Sequence, residues 1–367
     1  MEPQEYFQQD IVFVLLCGGV IMLSVVAAFY LLLRRSNAIA SGVTPPLRLR
    51  QWAAAFMLFA AVSHVTWIIY IYYPSTLGYT LAYTLDILLF FPTVAGILLS
   101  MLQDRKRPVW QVAVALVPVI VLSALSIIRG DDAFLFWQAI YVIVLYASFM
   151  VYMFFAVRRY GKWLRDNYAD LENKEVWQSF LILAVFLLFF ILYSSTNEQN
   201  IVVAYLLQID CIIIVTLLLW RTETLQQLSE SITEEEDEPA QEEQKVSVPK
   251  AIPVDIESLL KKHCENKHLY LQYDLSLSQL ALAIGTNHSY LSRYFSQQGL
   301  TYNAYINGLR IRHFISLYQK ALAEGRTFTA QQLSSESGYH SYSTFSAAFK
   351  QYTGKTVTAF HLQNLQK

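Results

Sequence analysis

The sequence predicts an all-α protein of two unlike parts: an N-terminal seven-helix transmembrane bundle and a C-terminal domain of two similar helical units joined by a long helix. Three observations carry this. Of 367 residues 55% are hydrophobic, a high share for a soluble chain. The net charge of −1 conceals a segregation: residues 1–220 hold 13 basic and 13 acidic side chains, 221–254 hold 3 and 9, and 255–367 hold 11 and 6. Finally, one pattern of caps and turns occurs twice in the last hundred residues, 53 positions apart.

Seven apolar stretches span about 11–33, 52–73, 78–101, 109–128, 133–157, 177–195 and 201–220. Each approaches the ~20 residues that a helix needs to cross the hydrocarbon core. Arg34, Arg35, Arg48 and Arg50 follow the first stretch, Arg105, Lys106 and Arg107 the third, and Arg158, Arg159, Lys162, Arg165 and Lys174 the fifth. The alternate loops hold only Arg129, so the bias is twelve to one. Basic loops stay on the cytoplasmic side. The expected topology is N-terminus out and C-terminus in, a multi-pass protein of the inner membrane. Glu2, Glu5 and Asp10 argue against reading the first stretch as a cleaved signal peptide, which wants a basic start.

Polar groups inside these stretches are costly to bury and therefore informative. His64, Asp86, Gln208 and Asp210 all fall between the expected bilayer centre and its outer half, with Trp67, Tyr193 and Tyr205 nearby. Two readings stand: a pocket for a small or lipid-borne signal, or interhelical hydrogen bonds that hold the bundle. Pro92 and Pro118 are expected to kink their helices. Cys17, Cys211 and Cys264 show neither metal-ligand nor disulfide spacing. No metal site, cofactor or enzyme motif is read from the chain.

Residues 221–254 read as a helical extension followed by an acidic linker. Leu225, Leu228 and Ile232 recur at i, i+3 and i+7, a stripe that reads either as a short homodimer seam or as a fraying extension of the last span. The run Glu234-Glu235-Glu236-Asp237-Glu238-Pro239 is like-charged and ends in proline, as in extended linkers.

In residues 255–367, Ser276-Leu277-Ser278-Gln279 forms a capping box, and the apolar face Leu280, Ala281 and Ile284 ends at Gly285. A second helix starts at Thr286 or Asn287 and packs through Leu291 and Phe295: a helix-turn-helix. Thr329-Ala330-Gln331-Gln332, Leu333, Gly338, Phe345 and Phe349 repeat the arrangement, and Tyr302 to about Ala323 reads as one long connecting helix.

These residues carry a resemblance to a known family. Leu280-Ala281, Ile284-Gly285, Tyr290-Leu291-Ser292, Phe295, Tyr305-Ile306-Asn307 and Leu309-Arg310-Ile311 in the first half resemble the DNA-binding domain of the AraC/XylS family of bacterial transcription regulators. So do Glu336-Ser337-Gly338-Tyr339, Ser341-Tyr342-Ser343-Thr344-Phe345, Phe349-Lys350 and Gly354-Lys355-Thr356 in the second. Ser334 stands where the family usually has Ala, and Val357 where Pro is common. The resemblance covers about a third of the chain and implies two recognition helices in successive major grooves of one DNA face.

With the apolar positions turned inward, Asn287, His288, Ser289, Ser292 and Arg293 face outward from the first recognition helix. From the second come His340, Ser341, Ser343, Thr344, Ala347 and Lys350. Asn287 and Arg293 are suited to base edges; the second set, lacking arginine, suits phosphate contact. For Arg310, pairing with Glu324 or Glu336 is favoured over DNA. The expected partners are promoter DNA, RNA polymerase, the lipid bilayer and an unknown signal. The expected function is a membrane-embedded one-component transcription regulator. Its alternatives are a transporter or small-molecule receptor with a regulatory DNA-binding tail, and a bundle that only anchors and dimerises.

Overall fold

A computed structural model describes residues 10–34, 37–38, 43–130, 133–182, 184–185, 201–228 and 255–365. All regular structure among them is helical apart from one isolated bridge between Tyr168 and Ser276. The chain divides into two compact units, Met1–Tyr160 with Val176–Ser229, and Gly161–Glu175 with Glu230–Lys367.

In the first unit the helices are α1 (Ile11–Leu33), α2 (Leu47–Tyr72), α3 (Thr76–Met101), α4 (Trp110–Ala115), α5 (Val117–Arg129), α6 (Ala133–Asn167, which runs on into the second unit) and α7 (Ile201–Thr224). Among the described residues six helical stretches of 20 to 35 residues, with α4 and α5 counted as one, are long and apolar enough to cross a membrane. The expected sixth span, 177–195, is helical over 177–182 and otherwise falls largely outside the described residues. Large apolar side chains such as Leu15, Met22, Phe136 and Val144 point outward and are exposed. An apolar exterior of this kind suits lipid rather than water.

Sequence boundaries shift where polar residues join a helix. α2 begins at Leu47 and so includes Arg48 and Arg50, and α6 continues ten residues past Val157 through a charged segment. Pro118 breaks its span: α4 ends at Ala115, and Pro118 lies in the first turn of α5, where its missing N–H is harmless. Pro92 sits within a continuous α3. Gly96 on α3 lies directly under the Trp52 ring of α2, and any side chain there would collide with it.

The helix after Arg221 is shorter than its stripe suggested. α7 ends at Thr224, and Leu225 and Leu228 are buried in the first unit rather than presented to a second copy; Ile232 lies outside the described residues. The reason is a set of competing partners. Gln227 N donates to Thr44 O (2.7 Å), Gln103 Nε2 to Gln226 O (2.9 Å), and Leu228 N to Gln103 Oε1 (2.9 Å). Glu223 accepts from Tyr30 Oη and from Ala38 N. Loop partners thus replace the helical ladder.

The second unit contains α8 (Ile256–Leu260), a π turn (Lys261–Glu265), a 3₁₀ turn (Leu269–Leu271), α9 (Leu277–Ile284), α10 (His288–Gln297), α11 (Tyr302–Ala323), α12 (Ala330–Glu336), α13 (Tyr342–Thr353) and α14 (Val357–Leu365). α11 serves two cores. Its first half gives Tyr302, Ile306 and Leu309 to a cluster with Leu277, Leu280, Ile284, Leu291 and Phe295. Its second half gives Ile311, Phe314 and Tyr318 to a cluster with Leu333, Phe345 and Phe349. At roughly 1.5–3 kcal/mol per buried large apolar side chain, each cluster is a substantial core.

Candidate nucleic-acid interface

Each recognition helix is positioned by its caps. In the first unit of the repeat, Ser276 Oγ accepts from Gln279 N (3.2 Å) while Gln279 Oε1 accepts from Ser276 N (2.9 Å), so the capping box closes both ways. Gly285 ends α9 at φ +76°, in the left-handed region. Asn287 then caps α10, its Oδ1 accepting from Tyr290 N (2.8 Å). The repeat is faithful. Thr329 and Gln332 close a second capping box, and Ser341 caps α13 by accepting from Thr344 N (3.3 Å). Gly338 has φ +87°, and a Cβ there would lie 2.8 Å from the Leu271 backbone. Both its torsion and the close approach of the chain demand glycine.

The residues expected to read DNA are placed as follows. Leu291, Phe295, Phe345 and Phe349 are buried, which turns Asn287, Ser289 and Arg293 outward on α10. His340, Ser343, Ala347 and Lys350 are likewise exposed. His288, Ser292, Ser341 and Thr344 are half-buried. His340 also meets the Tyr273 ring edge-on at 6.1 Å. Tyr290 and Tyr342 expose 54% and 40% of their surface on the recognition helices, and the sequence reading named neither as a contact. Both are aromatic, donor-bearing side chains fit for sugar or phosphate.

Arg310 is not part of that surface, nor does it pair with Glu324 or Glu336. It is 1% exposed. Its Nε donates to Tyr270 O (2.7 Å), its Nη2 to Gln272 O (2.8 Å), and its guanidinium lies over the Tyr339 ring. Burial holds its pKa below the usual arginine value. The cation joins the segment ahead of the first repeat to the turn of the second. Glu324 instead faces Lys320 (3.9 Å). Arg312 is exposed and donates to Tyr352 Oη (3.3 Å).

The two departures from the family pattern are accommodated. Ser334 is buried and donates its Oγ to Gln331 O (2.8 Å), and Val357 packs into the second core. Cys264 is fully buried, and burial pushes its thiol up to about 12, which keeps it protonated and inert.

Among the described residues the polar groups of the first unit form two hydrogen-bonded sets. His64 lies 3.0 Å from Gln208 Oε1 through Nε2 and 2.7 Å from Ala60 O through Nδ1. Asp86 accepts from Ser63 Oγ (2.5 Å) and Trp67 Nε1 (2.6 Å). Asp210 is buried, but two residues beyond Gln208 it falls about 200° further round the helix, and among the described residues it shares no hydrogen bond with either set. Tyr205 donates to Asp10 (3.0 Å) instead, and Tyr193 lies outside the described residues. Among the described residues no group of three or more metal-type side chains converges.

Two capped helix-turn-helix units on a shared helix define a DNA-binding domain. The model of a family described as "Helix-turn-helix domain" matches residues 280–363. No curated protein and no solved structure matches the chain.

Proposed function

We propose that this chain is a membrane-embedded one-component transcription regulator that reads promoter DNA with α10 and α13 and is controlled by a signal received among its apolar helices. The observation that carries the reading is the tandem repeat itself. In both units a capping box opens the first helix and a side-chain cap opens the recognition helix, and both units are fixed to one helix, α11. Asn287 and Arg293 supply base-edge donors; Ser343, Thr344 and Lys350 supply phosphate contacts.

The apolar helices support membrane embedding, with 177–195 as a seventh span and the basic loops inside. The DNA-binding domain then lies in the cytoplasm, within reach of the promoter and RNA polymerase. The hydrogen-bonded sets around His64 and Asp86 are where a small or lipid-borne signal would act, and a transporter reading would rest on the same groups.

Genome-wide mapping of DNA bound by the intact chain in its native membrane tests the proposal. Enrichment of a few promoters, lost on Arg293→Ala, is the expected result. A flat profile would sink it.

A further inference from the structure

A distant part of the same chain touches the reading face of both helix-turn-helix units, at His288 in the first and Thr344 in the second. Gly161–Glu175, which follows the fifth apolar stretch, belongs to the C-terminal unit. Its middle is built into that unit. Ala169 is 1% exposed within the first core, and its N–H donates to Leu275 O (3.3 Å). Its carbonyl accepts from Asn303 Nδ2 (2.7 Å) and Asn307 Nδ2 (3.3 Å). Tyr168 bridges to Ser276, and Lys174, 2% exposed, places Nζ 3.0 Å from Asp274 Oδ1.

From this anchorage one side chain reaches each recognition helix. On α10 His288 Nε2 donates to Asn167 Oδ1 (2.6 Å), and on α13 Thr344 Oγ1 donates to Glu172 Oε2 (3.1 Å). Both His288 and Thr344 belong to the set expected to meet DNA. Glu172 moreover sets a carboxylate in the first turn of α13, the place where a helix best receives a phosphate. Asp170, buried beside it, accepts from Glu172 N (3.0 Å), and burial holds its carboxyl above the usual carboxylate range.

A DNA backbone brought to this face would meet Glu172 with like charge and find the His288 and Thr344 donors already engaged. We propose that Gly161–Glu175 is an intramolecular strap that closes the DNA-reading face of both repeats, so that docked strap and bound duplex are mutually exclusive. The inference rests on the DNA-binding reading and adds its control. Only the fraction of molecules with the strap released binds, and the apparent affinity falls by that fraction. The strap begins in the last turns of α6 and leads toward the helical residues 177–182, so both its ends are continuous in the chain with apolar helices.

The test uses the full chain in lipid nanodiscs and duplexes selected from a random pool by the wild type and by Asn167→Ala/Glu172→Ala in parallel. Removing two strap hydrogen bonds, one of them to a carboxylate, is expected to tighten binding about tenfold. Glu172→Gln, which keeps an acceptor but removes the charge, should fall between. In a second measurement, alkylation of Asn167→Cys should accelerate when duplex is added, because that position is 4% exposed with the strap docked. Duplex binding that is unchanged or weaker in the double variant, or alkylation indifferent to DNA, would overturn the strap alone. Failure of every variant to select any duplex at low salt would overturn the DNA-binding reading, and the strap with it.

Discussion

Arg310 and Tyr339 meet face to cation, the guanidinium carbon 5.4 Å from the ring centroid, at the point where the two helix-turn-helix repeats join. The arrangement separates two kinds of contribution. Arg310 satisfies two buried carbonyls, whereas among the described residues the buried Tyr339 hydroxyl has no hydrogen-bond partner. Arg310→Ala leaves those carbonyls unpaired and should cost roughly 3 kcal/mol. Tyr339→Phe removes only an unsatisfied hydroxyl and should be neutral or slightly stabilising, while Tyr339→Ala should not. Hydrogen exchange across residues 255–365 of the full chain measures all three; protection unchanged in Arg310→Ala would refute the assignment.

Gly338 offers a second, independent check on the packing. Gly338→Ala forces a Cβ to 2.8 Å from the Leu271 backbone at φ +87°. A loss of about 2 kcal/mol or more is expected, since neither the torsion nor the backbone can yield cheaply. Gly285→Ala meets open space at φ +76° and should cost less. Equal effects would mean that the close approach contributes nothing.

On the reading face, Arg293 and Lys350 should respond differently. Arg293→Ala is expected to relax sequence preference and cost about 1–3 kcal/mol of binding. Lys350→Ala should weaken binding evenly across sequences and reduce the salt slope by about one. Affinity measured over a salt series on matched and mismatched duplexes distinguishes them. If Lys350→Ala changed preference instead, α13 would be reading bases.

Substitution of Asp86 separates the sensing and transport readings of the apolar helices. Its two carboxylate oxygens each accept one hydrogen bond, from Ser63 and from Trp67. Asp86→Asn nearly preserves shape but alters charge, so it should change promoter output in cells at normal membrane levels without changing any flux. A changed flux with constant promoter output would favour transport. Gln208→Ala, which removes the partner of His64 Nε2, should behave in the same direction if the two sets share one signal.

Local chemistry made the DNA-binding half legible. The capping boxes at Ser276 and Thr329, the turn glycines and the phenylalanines of both cores all lie within a few residues of what they determine, so spacing alone placed them. Long-range partners were not legible in the same way. Nothing near Arg310 in the chain announces carbonyls 38 and 40 residues away. Lys174 read as one more basic loop residue, yet it is buried against Asp274, a hundred positions on. Asn167 and Glu172 have no periodicity to betray them. A hint existed in Trp163, Leu164, Tyr168 and Leu171, more apolar matter than a solvated loop requires. The stripe at Leu225 and Leu228 misled for the opposite reason: helical spacing persisted where loop partners had already ended the helix.

α11 lends its two halves to two cores, and so neither recognition helix can turn or slide without disturbing the same rod. For a duplex this is a matter of phase. A reader of this build measures distance along DNA as well as sequence, and its two half-elements must stay in step with the helical repeat of about 10.5 base pairs. Slipping five base pairs between them would carry one element to the far side of the duplex, beyond any accommodation by side chains.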